Sequence, residues 1–512
     1  MKLQELLEGL DYDLLDAQGQ AVPEPSRRQE QLKTDVTAIT NDSRKVREGG
    51  LFFCIIGANS DGHSYAADVA EKGASVLVVS KPVDLGGEAA PVIVRVDNTR
   101  HAMACISAAF YGQPARRMKM IGITGTKGKT TTTYLVKSIL EHAGVDVGLI
   151  GTIESTYHDV HIPSNNTTPE SIVLQKTLKD MADAGVQAVV MEVSSQALML
   201  ERTGAILYDI GVFTNISPDH IGPNEHASFE DYMQCKGRLF RQCRIGIVNG
   251  DDPHTGDVLK GHTCEVETFG LKAADDLYAE HEELIKKPGE LGIRFDARGM
   301  VNLTAEVPTP GNFSVYNALC AIAICHHFDV TPEEIESALL GARVKGRIEM
   351  VKVSDDFTLM IDYAHNAVAL ESLLTTLREY QPHRLVTLFG CGGNRSRLRR
   401  YEMGEVSGKL SDFTIITSDN PRFEEPMDII ADIETGMKKT DGAYITIPDR
   451  KEAIRYAIHH GEPGDIIVLA GKGHEDYQEI RGVKYPMDER VLIADILRED
   501  RETRWHNTHR SS

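Results

Sequence analysis

A glycine-rich turn between a strand pattern and a helix pattern constrains the fold of this chain most. The apolar run MKMIGITG (118–125) is typical of a buried strand, and TTTYLVKSILEHAG (131–144) has the periodicity of a helix. Glycines let backbone N–H groups close around phosphate oxygens, and the N-terminus of the following helix carries a partial positive charge. The segment GITGTKGKTTTT (122–133) therefore predicts a phosphate-binding loop at one end of a parallel sheet.

Two side chains of this loop suit a nucleoside triphosphate. Lys129 can reach the β- and γ-phosphates, and the hydroxyl of Thr130 can bind Mg²⁺. The spacing differs from the standard GxxxxGK[ST] pattern, because Ile123 stands where the first glycine would fall. A ligand-free turn is the alternative interpretation, and a hydrolysing switch or motor would share the loop, so other segments must decide the function.

Strand and helix patterns alternate along the whole chain. Residues 1–118 have a small α/β pattern, residues 119–345 contain the loop and an antiparallel insertion at 271–307, and residues 346–512 contain four further buried strands. Each of these four strands runs into a polar or glycine-rich turn, where ligands of such sheets bind. The alternation predicts mostly parallel sheets, and the length fits about three domains. We expect an α/β fold of three domains with these bounds.

Charge and cysteine usage exclude several classes of protein. The chain has 55 Lys and Arg against 76 Asp and Glu, a formal net charge of −21, which argues against binding to nucleic acid or to a membrane. The basic run RSRLRR (395–400) has no interleaved aromatic residues and does not change this expectation. The start MKLQELLEGLDYDLL lacks a signal-peptide pattern, no run approaches the ~18 apolar residues of a membrane span, and the eight cysteines form no CxxC pair. We expect a cytoplasmic protein with reduced thiols.

Polar residues at further strand ends suit a divalent cation beside a triphosphate. Glu192 and His220 each lie at or just after the end of a predicted strand, as Thr130 does. A solvated acid and a turn histidine are the alternative interpretations. Lys236 lies near the apolar side of a predicted helix, and its spacing alone favours a lysine that extends its ammonium group to solvent.

Ten segments of the chain together resemble the Mur ligase family, and within it the branch that extends UDP-N-acetylmuramoyl-L-alanyl-D-glutamate. They are DSRKVREGGLFFCIIGANSDGH (42–63), GITGTKGKTTT (122–132), SNNTTPES (164–171), MEVSSQAL (191–198), FTNISPDH (213–220), YMQCKGRLF (232–240), GRIE (346–349), DYAHN (362–366), SDNPR (418–422) and GKGHEDYQ (471–478). The resemblance includes the unusual spacing of the phosphate loop. It implies a central P-loop ATPase domain with a parallel sheet, an N-terminal α/β domain that binds the UDP moiety, and a C-terminal Rossmann-like domain.

The resemblance also implies a reaction and the residues that serve it. ATP would phosphorylate the terminal carboxylate of the nucleotide-linked peptide, and the amino group of a free amino acid would then attack the acyl phosphate. The catalytic residues implied are Lys129, Glu192, His220 and Lys236. The implied magnesium ligands are Thr130, Glu192, His220 and Lys236, the last carried as a carbamate. The implied ATP site comprises Gly122, Thr124, Gly125, Thr126, Lys127, Gly128, Lys129, Thr130, Thr131, Asn317, Arg347, Asp362 and His365.

The two remaining substrates have matching residues of their own. For the UDP-N-acetylmuramoyl dipeptide the resemblance implies Ser43, Asn166, Thr167, Thr168, Ser194 and Arg202. For the amino acid it implies Arg395, Asp419, Asn420, Pro421, Arg422, Gly471 and Glu475. The Asp-Asn-Pro-Arg motif is similar to that of the branch adding meso-2,6-diaminopimelate, whose second carboxylate suits the planar fork of an arginine. A loop arginine paired with Glu424 or Glu425 is the alternative interpretation of Arg422.

Several rival functions share parts of this pattern. A sister ligase with another amino acid, such as L-lysine, or another acceptor is one rival, and departures at Gln196, Leu200 and 221–226 leave the acceptor open. Folylpolyglutamate synthetase lacks the N-terminal DSR…DGH domain, and a non-catalytic nucleotide-binding paralogue would not need the full set of catalytic residues. We expect a monomer that binds ATP, Mg²⁺, the UDP-linked dipeptide and a free amino acid.

Overall fold

The computed structural model describes residues 1–16, 19–58, 60–85, 91–219, 221–222, 225–287 and 289–510, with side chains up to residue 502. The chain divides into two compact units, one of residues 1–277 and 320–330 and one of residues 278–319 and 331–512. Both units combine helices with mixed or parallel sheets, as the alternating sequence pattern predicts. None of the described helices is both long and apolar enough to cross a membrane.

The first unit begins with a five-stranded sheet of order β1-β5-β4-β3-β2. Strands β2 to β5 are parallel, and β1 runs antiparallel to β5. The strands are β1 (Asp13–Leu15), β2 (Ala38–Thr40), β3 (Gly50–Phe53), β4 (Val76–Val79) and β5 (Val92–Arg95), and the helices are α1 (Leu3–Leu6), α2 (Pro25–Leu32), α3 (Ala66–Glu71) and α4 (Thr99–Phe110). The side chains of β4 are fully buried, because helices or loops cover both faces of a sheet of this kind.

The first unit also holds the sheet that carries the phosphate loop. Its strands are β6 (Lys119–Thr124), β7 (Val147–Ile150), β8 (Glu154–Tyr157), β9 (Val160–Pro163), β10 (Ala188–Glu192), β11 (Tyr208–Phe213), β12 (Cys243–Asn249) and β13 (Glu265–Gly270), in the order β13-β12-β11-β6-β10-β7-β8-β9. Its helices are α5 (Lys129–His142), α6 (Ser171–Asp183), α7 (Ser195–Met199), α8 (Phe229–Gly237) and α9 (Thr255–Val258). All pairs among β6, β7 and β10–β13 are parallel.

The register of this sheet positions the candidate site. Strand β6 lies between β10 and β11, with Ile123 opposite Glu192 and Thr124 opposite Phe213. The carboxyl ends of three parallel strands therefore meet where the glycine-rich turn begins, so side chains that follow these strands converge there.

The second unit begins with three strands and two helices. These are β14 (Leu277–Lys287), β15 (Glu290–Gly299), β16 (Leu303–Val307), α10 (Asn312–Cys325) and α11 (Pro332–Gly341), and the residues of α10 from Cys320 onward belong to the first unit. Strands β15 and β16 pair antiparallel, with Phe295 opposite Ala305. The antiparallel insertion predicted for 271–307 is confirmed.

The second unit continues as a six-stranded sheet of order β17-β18-β22-β19-β20-β21, followed by a hairpin. The strands are β17 (Glu349–Val351), β18 (Thr358–Asp362), β19 (Leu385–Phe389), β20 (Phe413–Ile416), β21 (Ala443–Thr446), β22 (Ile466–Ala470) and the hairpin β23 (Tyr477–Ile480) and β24 (Val483–Pro486). The helices are α12 (Ala367–Glu379), α13 (Arg397–Leu410), α14 (Pro426–Met437), α15 (Arg450–His459) and α16 (Glu489–Arg510). The four predicted strands are present and parallel, so their polar turns lie along one edge of the sheet.

Candidate functional site

The phosphate loop has a conformation that depends on two glycines. Gly125 and Gly128 have φ of 151° and 87°, values that side chains with a Cβ rarely adopt. A Cβ at Gly125 would lie 1.9 Å from Oγ1 of Thr214, which follows β11. Nζ of Lys129 folds back over the loop and donates to the carbonyl oxygens of Gly125 at 2.8 Å and Thr126 at 3.2 Å. The predicted strand, turn and helix are therefore present, with the lysine at the mouth of the turn.

The carboxylate of Glu192 lies against the start of α5. Glu192 is 1% exposed, so the solvated strand-end acid is the wrong interpretation. Its two oxygens each lie 3.0 Å from Oγ1 of Thr130. Thr152 donates to the same carboxylate from its backbone N at 2.8 Å and from its hydroxyl at 3.0 Å. Sequence reasoning missed Thr152, although it follows strand β7 just as Glu192 ends the neighbouring strand β10.

The donors at this strand end fit a hard divalent cation. The hydroxyl of Thr130 and both carboxylate oxygens of Glu192 are oxygen ligands of the kind that Mg²⁺ prefers, and they are already in contact. A Cβ at Gly151 would lie 2.5 Å from Oε1 of Glu192, so the backbone approaches the carboxylate closely. His220, the imidazole predicted for this set, lies outside the described residues.

Lys236 on α8 is buried beside the same loop. It is 1% exposed, so a lysine that reaches solvent is the wrong interpretation. Nζ donates to the carbonyl oxygen of Gly125 at 2.9 Å and lies 4.3 Å from the ring centroid of Tyr232. Burial, and then the positive charge of Lys129, hold the pKa of Lys236 well below its ordinary range. Both causes disfavour the ammonium form relative to that of a lysine in water.

Half of the residues predicted for the UDP-linked peptide gather near the end of β10, namely Thr168, Ser194 and Arg202. The hydroxyl of Thr168 donates to the carbonyl oxygen of Glu192 at 2.8 Å and accepts from the backbone N of Ser194 at 3.0 Å. Nη1 of Arg202 donates to the carbonyl oxygen of Thr168 at 3.1 Å, and its Nη2 lies 2.6 Å from Oε1 of Glu170. These residues form one hydrogen-bonded group.

Three other residues of this predicted set have different surroundings. The hydroxyl of Thr167 lies 3.1 Å from that of Thr152, which connects it to the Glu192 cluster. Asn166 is exposed. Ser43 is half-buried after β2, and its carbonyl oxygen accepts from Nζ of Lys72 at 3.2 Å.

His226 is a buried residue of the site that sequence reasoning did not single out. Its Nε2 lies 2.9 Å from Oγ of Ser195, and its Nδ1 lies 3.1 Å from Oδ2 of Asp231. Its ring lies 5.1 Å from that of Tyr232, whose hydroxyl is 3.0 Å from Oγ1 of Thr126. This histidine therefore connects the end of β10, the helix of Lys236 and the phosphate loop. The sequence signal that could have identified His226 is its position in the segment 221–226, which departs from the family pattern.

The second unit brings together the Asp-Asn-Pro-Arg motif and Glu475. Nδ2 of Asn420 donates to Oε2 of Glu475 at 2.9 Å. Oδ2 of Asp419 lies 3.1 Å from the position that a Cβ would occupy at Gly471. In the strand order β20-β19-β22, the turns after β20 and β22 lie on either side of the turn after β19. Gly390 in that middle turn lies close to both, since a Cβ at Gly390 would lie 2.9 Å from N of Asp419 and the Cβ position of Gly471 is 3.7 Å from the carbonyl oxygen of Gly390.

Arg422 is held by a partner that the sequence did not suggest. Its Nε donates to Oε2 of Glu479 at 3.1 Å, and its Nη1 donates to the carbonyl oxygen of Gly393 at 2.8 Å. Glu424 instead pairs with the buried Arg400, at 2.8 Å from Nη2. The interpretation of Arg422 as a partner of Glu424 or Glu425 is therefore wrong. Arg395 is exposed and lies near Arg422. A Cβ at Gly392 would lie 3.8 Å from Cγ of Arg395 and 3.2 Å from Nη1 of Arg422.

The remaining ATP-side residues of the prediction lie in the second unit. Cζ of Arg347 lies 4.7 Å from the ring centroid of Tyr363, and the ring of His365 lies 4.6 Å from the same ring. Asp362 accepts hydrogen bonds from the backbone N of Ile348 and Ala364, and burial raises its pKa. Burial lowers the pKa of His365. Asn317 is buried in α10.

Comparison with known proteins gives a consistent picture along the chain. Residues 35–111 match the model "Mur ligase family, catalytic domain", residues 123–325 match "Mur ligase middle domain", and residues 346–473 match "Mur ligase, glutamate ligase domain". The chain is 40% identical over 503 residues to UDP-N-acetylmuramoyl-L-alanyl-D-glutamate--2,6-diaminopimelate ligase 1 of Clostridium acetobutylicum, with 98% of this chain and 100% of that protein covered. It is 41% identical over 471 residues to the ligase of the same name from Caldanaerobacter subterraneus, with 91% and 95% covered.

A solved structure agrees with these relatives. A structure described as UDP-N-acetylmuramoyl-L-alanyl-D-glutamate--2,6-diaminopimelate ligase covers 98% of this chain and 99% of its own, with a TM-score of 0.69 and 26% sequence identity. The match extends over the N-terminal sheet, the sheet with the phosphate loop and the C-terminal sheet alike.

Proposed function

The chain belongs to the Mur ligase family, and from this membership we propose that it is an ATP-dependent acid–amino acid ligase that joins meso-2,6-diaminopimelate to UDP-N-acetylmuramoyl-L-alanyl-D-glutamate. The observation that carries the proposal is about 40% identity over the full chain to ligases named for that reaction. The product is a precursor of peptidoglycan, so the protein would act in cell wall synthesis.

The reaction proceeds in two steps. A carboxylate oxygen of the dipeptide attacks the γ-phosphorus of ATP, the bond between that phosphorus and the bridging oxygen breaks, and ADP leaves. The amino group of diaminopimelate then attacks the carbonyl carbon of the acyl phosphate, inorganic phosphate leaves and the amine loses a proton. The loop amides and Lys129 would stabilise charge on the transferring phosphoryl group, and the position of the lysine beside the glycine-rich turn supports this role.

Magnesium belongs to this proposal through the oxygen donors beside the loop. Thr130, Glu192 and His220 would hold the ion, together with Lys236 as a carbamate. When bound, Mg²⁺ supplies positive charge that neutralises the phosphate oxygens. The burial of Lys236 supports the carbamate, since a lone ammonium is costly in that position and carbamylation replaces the amine by an anionic oxygen ligand.

The proposed binding residues follow the three substrates. For ATP they are Gly122, Thr124, Gly125, Thr126, Lys127, Gly128, Lys129, Thr130, Thr131, Asn317, Arg347, Asp362 and His365. For the UDP-linked dipeptide they are Ser43, Asn166, Thr167, Thr168, Ser194 and Arg202, and for diaminopimelate they are Arg395, Asp419, Asn420, Pro421, Arg422, Gly471 and Glu475. The hydrogen bonds of Thr168 and of Asn420 support these groupings.

The proposal includes a cytoplasmic location and a monomeric state. ATP and UDP-linked precursors are cytoplasmic substrates, and the cysteines of the described chain are free thiols, as a reducing compartment requires. Size-exclusion chromatography with light scattering tests the monomer, and a mass of about twice that expected from the sequence would contradict it.

A phosphate-release assay tests the function. The protein is incubated with UDP-N-acetylmuramoyl-L-alanyl-D-glutamate, ATP and Mg²⁺, and with diaminopimelate, L-lysine or one of a panel of other amino acids. We expect release with diaminopimelate alone, its loss in Lys129→Ala and its weakening in Arg422→Ala. Release with L-lysine or another amino acid would keep the ligase and overturn the role of Arg422. No release with any amino acid would point to another acceptor, and release that needs neither acceptor nor amino acid would overturn the ligase.

A further inference from the structure

A fully buried lysine lies behind the proposed amino-acid site. Lys472 follows β22 and is 0% exposed. Its Nζ donates to Oδ1 of Asn420 at 3.1 Å, to Oε2 of Glu475 at 2.8 Å and to the carbonyl oxygen of Tyr477. An ammonium group has three N–H donors, so these acceptors use all of them, and the carboxylate of Glu475 balances the buried charge. Lys472 therefore has no donor left for a substrate.

The same contacts fix the side-chain amide of Asn420. Its Oδ1 accepts from Lys472 and from the backbone N of Glu479 at 2.8 Å, which uses both lone pairs. Its Nδ2 donates to Oε2 of Glu475 at 2.9 Å. Rotating the amide would place its NH₂ group against two donors, so the orientation is set by its neighbours. Asn420 is left without an acceptor for the ammonium of an amino acid, although the motif places it among the residues predicted for the amino acid.

Two carboxylates beside Asn420 still have acceptors to offer. Oδ1 of Asp419 accepts from the backbone N of Asn420 at 2.6 Å, and Oε2 of Glu475 accepts from Asn420 and Lys472. Over the residues that the structure describes, no hydrogen bond reaches Oδ2 of Asp419 or Oε1 of Glu475. Oδ2 of Asp419 also faces Gly471, whose missing side chain leaves room next to it.

We infer that Lys472 is a positioning residue, which orients Glu475 and Asn420 so that the carboxylates of Asp419 and Glu475 receive the ammonium of diaminopimelate that does not attack the acyl phosphate. The inference rests on the proposed function, since it concerns how that ligase binds its amino acid. Lys472 acts through its partners. It does not touch the substrate, but it determines which oxygen atoms of those partners face the substrate.

The first test replaces Lys472 by methionine, which keeps the apolar stem and removes the three donors. We expect Lys472→Met to raise the KM for diaminopimelate by about tenfold or more, with the KM for ATP and for the UDP-linked dipeptide within about twofold of wild type. Lys484→Met is the matched control, because its Nζ lies 3.9 Å from the ring centroid of the same Tyr477 but on the exposed strand β24. An unchanged KM for diaminopimelate in Lys472→Met would overturn the inference, and so would an equal rise for all three substrates.

The second test uses Asn420→Asp, which also decides the matter if Lys472→Met fails to fold. We expect the KM for diaminopimelate to rise, because the new carboxylate oxygen would face Oε2 of Glu475 in place of an N–H donor. An acceptor role for Asn420 would instead leave the KM unchanged or lower it, since a carboxylate binds ammonium more strongly than an amide does. That outcome would overturn the inference.

A double-mutant cycle separates action through Glu475 from a general loss of packing. We expect Lys472→Met and Glu475→Gln to be non-additive in the KM for diaminopimelate, and strictly additive effects would contradict the inference. Failure of the proposed function has a different signature, because wild type itself would then release no phosphate with diaminopimelate. Wild-type activity with unaltered variants would overturn the positioning role alone.

Discussion

Nε of Arg422 and Oε2 of Glu479 lie 3.1 Å apart, and the carbonyl oxygen of Gly393 holds Nη1 of the same guanidinium at 2.8 Å. The two contacts fix the plane of the guanidinium group. Within the described part of the chain, no hydrogen bond involves Nη2, so one edge of the fork remains available to a carboxylate. The arginine is therefore oriented before any amino acid binds, which reduces the entropy lost on binding.

The planar fork of Arg422 should matter more than its charge. We expect Arg422→Lys to raise the KM for diaminopimelate by roughly 10- to 100-fold with a smaller change in kcat, because lysine cannot form a bidentate pair and one charge-assisted hydrogen bond contributes about 1.5–3 kcal/mol. Steady-state kinetics with each amino acid measures this. Arg481→Lys is the control, since the side chain of Arg481 is 78% exposed and its substitution should change neither constant. Equal KM values for Arg422→Lys and wild type would contradict the proposed contact.

Lys236 should show opposite effects on activity and on stability. Lys236→Met should abolish phosphate release, because the ligand proposed for magnesium is removed. It should also leave the melting temperature unchanged or raise it, since a buried amine is replaced by an apolar side chain of similar length. Differential scanning fluorimetry and the phosphate assay measure the two properties on one preparation.

The control for Lys236 lies on the same helix. Gln234 is exposed, so Gln234→Ala should retain both activity and melting temperature. Phosphate release by Lys236→Met at the wild-type rate would exclude a role of Lys236 in catalysis.

Thr152 should be a measurable contributor to the Glu192 cluster. Thr152→Val keeps the shape and the backbone donor but removes the hydroxyl that donates to Oε2 of Glu192 at 3.0 Å. A hydrogen bond to a charged group contributes about 1.5–3 kcal/mol, so we expect kcat to fall by roughly tenfold or more. Thr152→Ser, which restores the hydroxyl, should recover most of the lost rate. If valine and serine behave alike, the hydroxyl has no part in the reaction.

The ion pair of Arg400 and Glu424 predicts that the free energy of unfolding decreases at acid pH. Arg400 lowers the pKa of Glu424 from its ordinary 4.5 to about 2 in the folded protein. A carboxyl group with a depressed pKa stabilises the fold above its ordinary pKa and loses that contribution as the pH falls through the folded value. We therefore expect the free energy of unfolding of wild type to decrease between about pH 4.5 and pH 2 more steeply than that of Glu424→Gln.

Chemical denaturation at a series of pH values checks this difference. Glu425→Gln is the control, because the side chain of Glu425 is 72% exposed and should leave the wild-type curve unchanged. Parallel curves for Glu424→Gln and wild type below pH 4.5 would show that the pair does not contribute.

The sequence alone predicted the elements that repeat a local pattern. The strand β6, the glycine-rich turn and the helix α5 follow from apolar periodicity and turn residues, and the antiparallel insertion follows from alternation. The proximity of Glu192 to Thr130 was predictable, because Glu192 ends β10 and Thr130 begins the helix after the turn that follows the neighbouring parallel strand β6.

Other contacts depend on packing over long distances in sequence. Lys236 lies on a helix whose spacing is equally compatible with solvent or core, and only its contact with Gly125, 111 residues away, decides the matter. The pairing of Arg422 with Glu479 across 57 residues, in place of its neighbours Glu424 and Glu425, has the same cause. Local patterns fix neither contact, because each depends on which turn packs against which.

The carbonyl oxygen of Gly125 accepts hydrogen bonds from both Lys129 and Lys236. It is a backbone atom, so no side-chain substitution deletes it, and a scan of single substitutions cannot remove this acceptor directly. Replacement of Gly125 changes the direction of the carbonyl and also brings a Cβ against Thr214. Intolerance at position 125 therefore has two origins, one steric and one electrostatic, which no side-chain substitution separates, so a scan of single substitutions would report them as one constraint. Replacing that peptide bond by an ester would weaken the acceptor and would also remove the N–H of Thr126, which donates to the carbonyl oxygen of Asn215 at 2.9 Å. Because it adds no side chain, the ester would isolate the polar contribution of this peptide from the steric one.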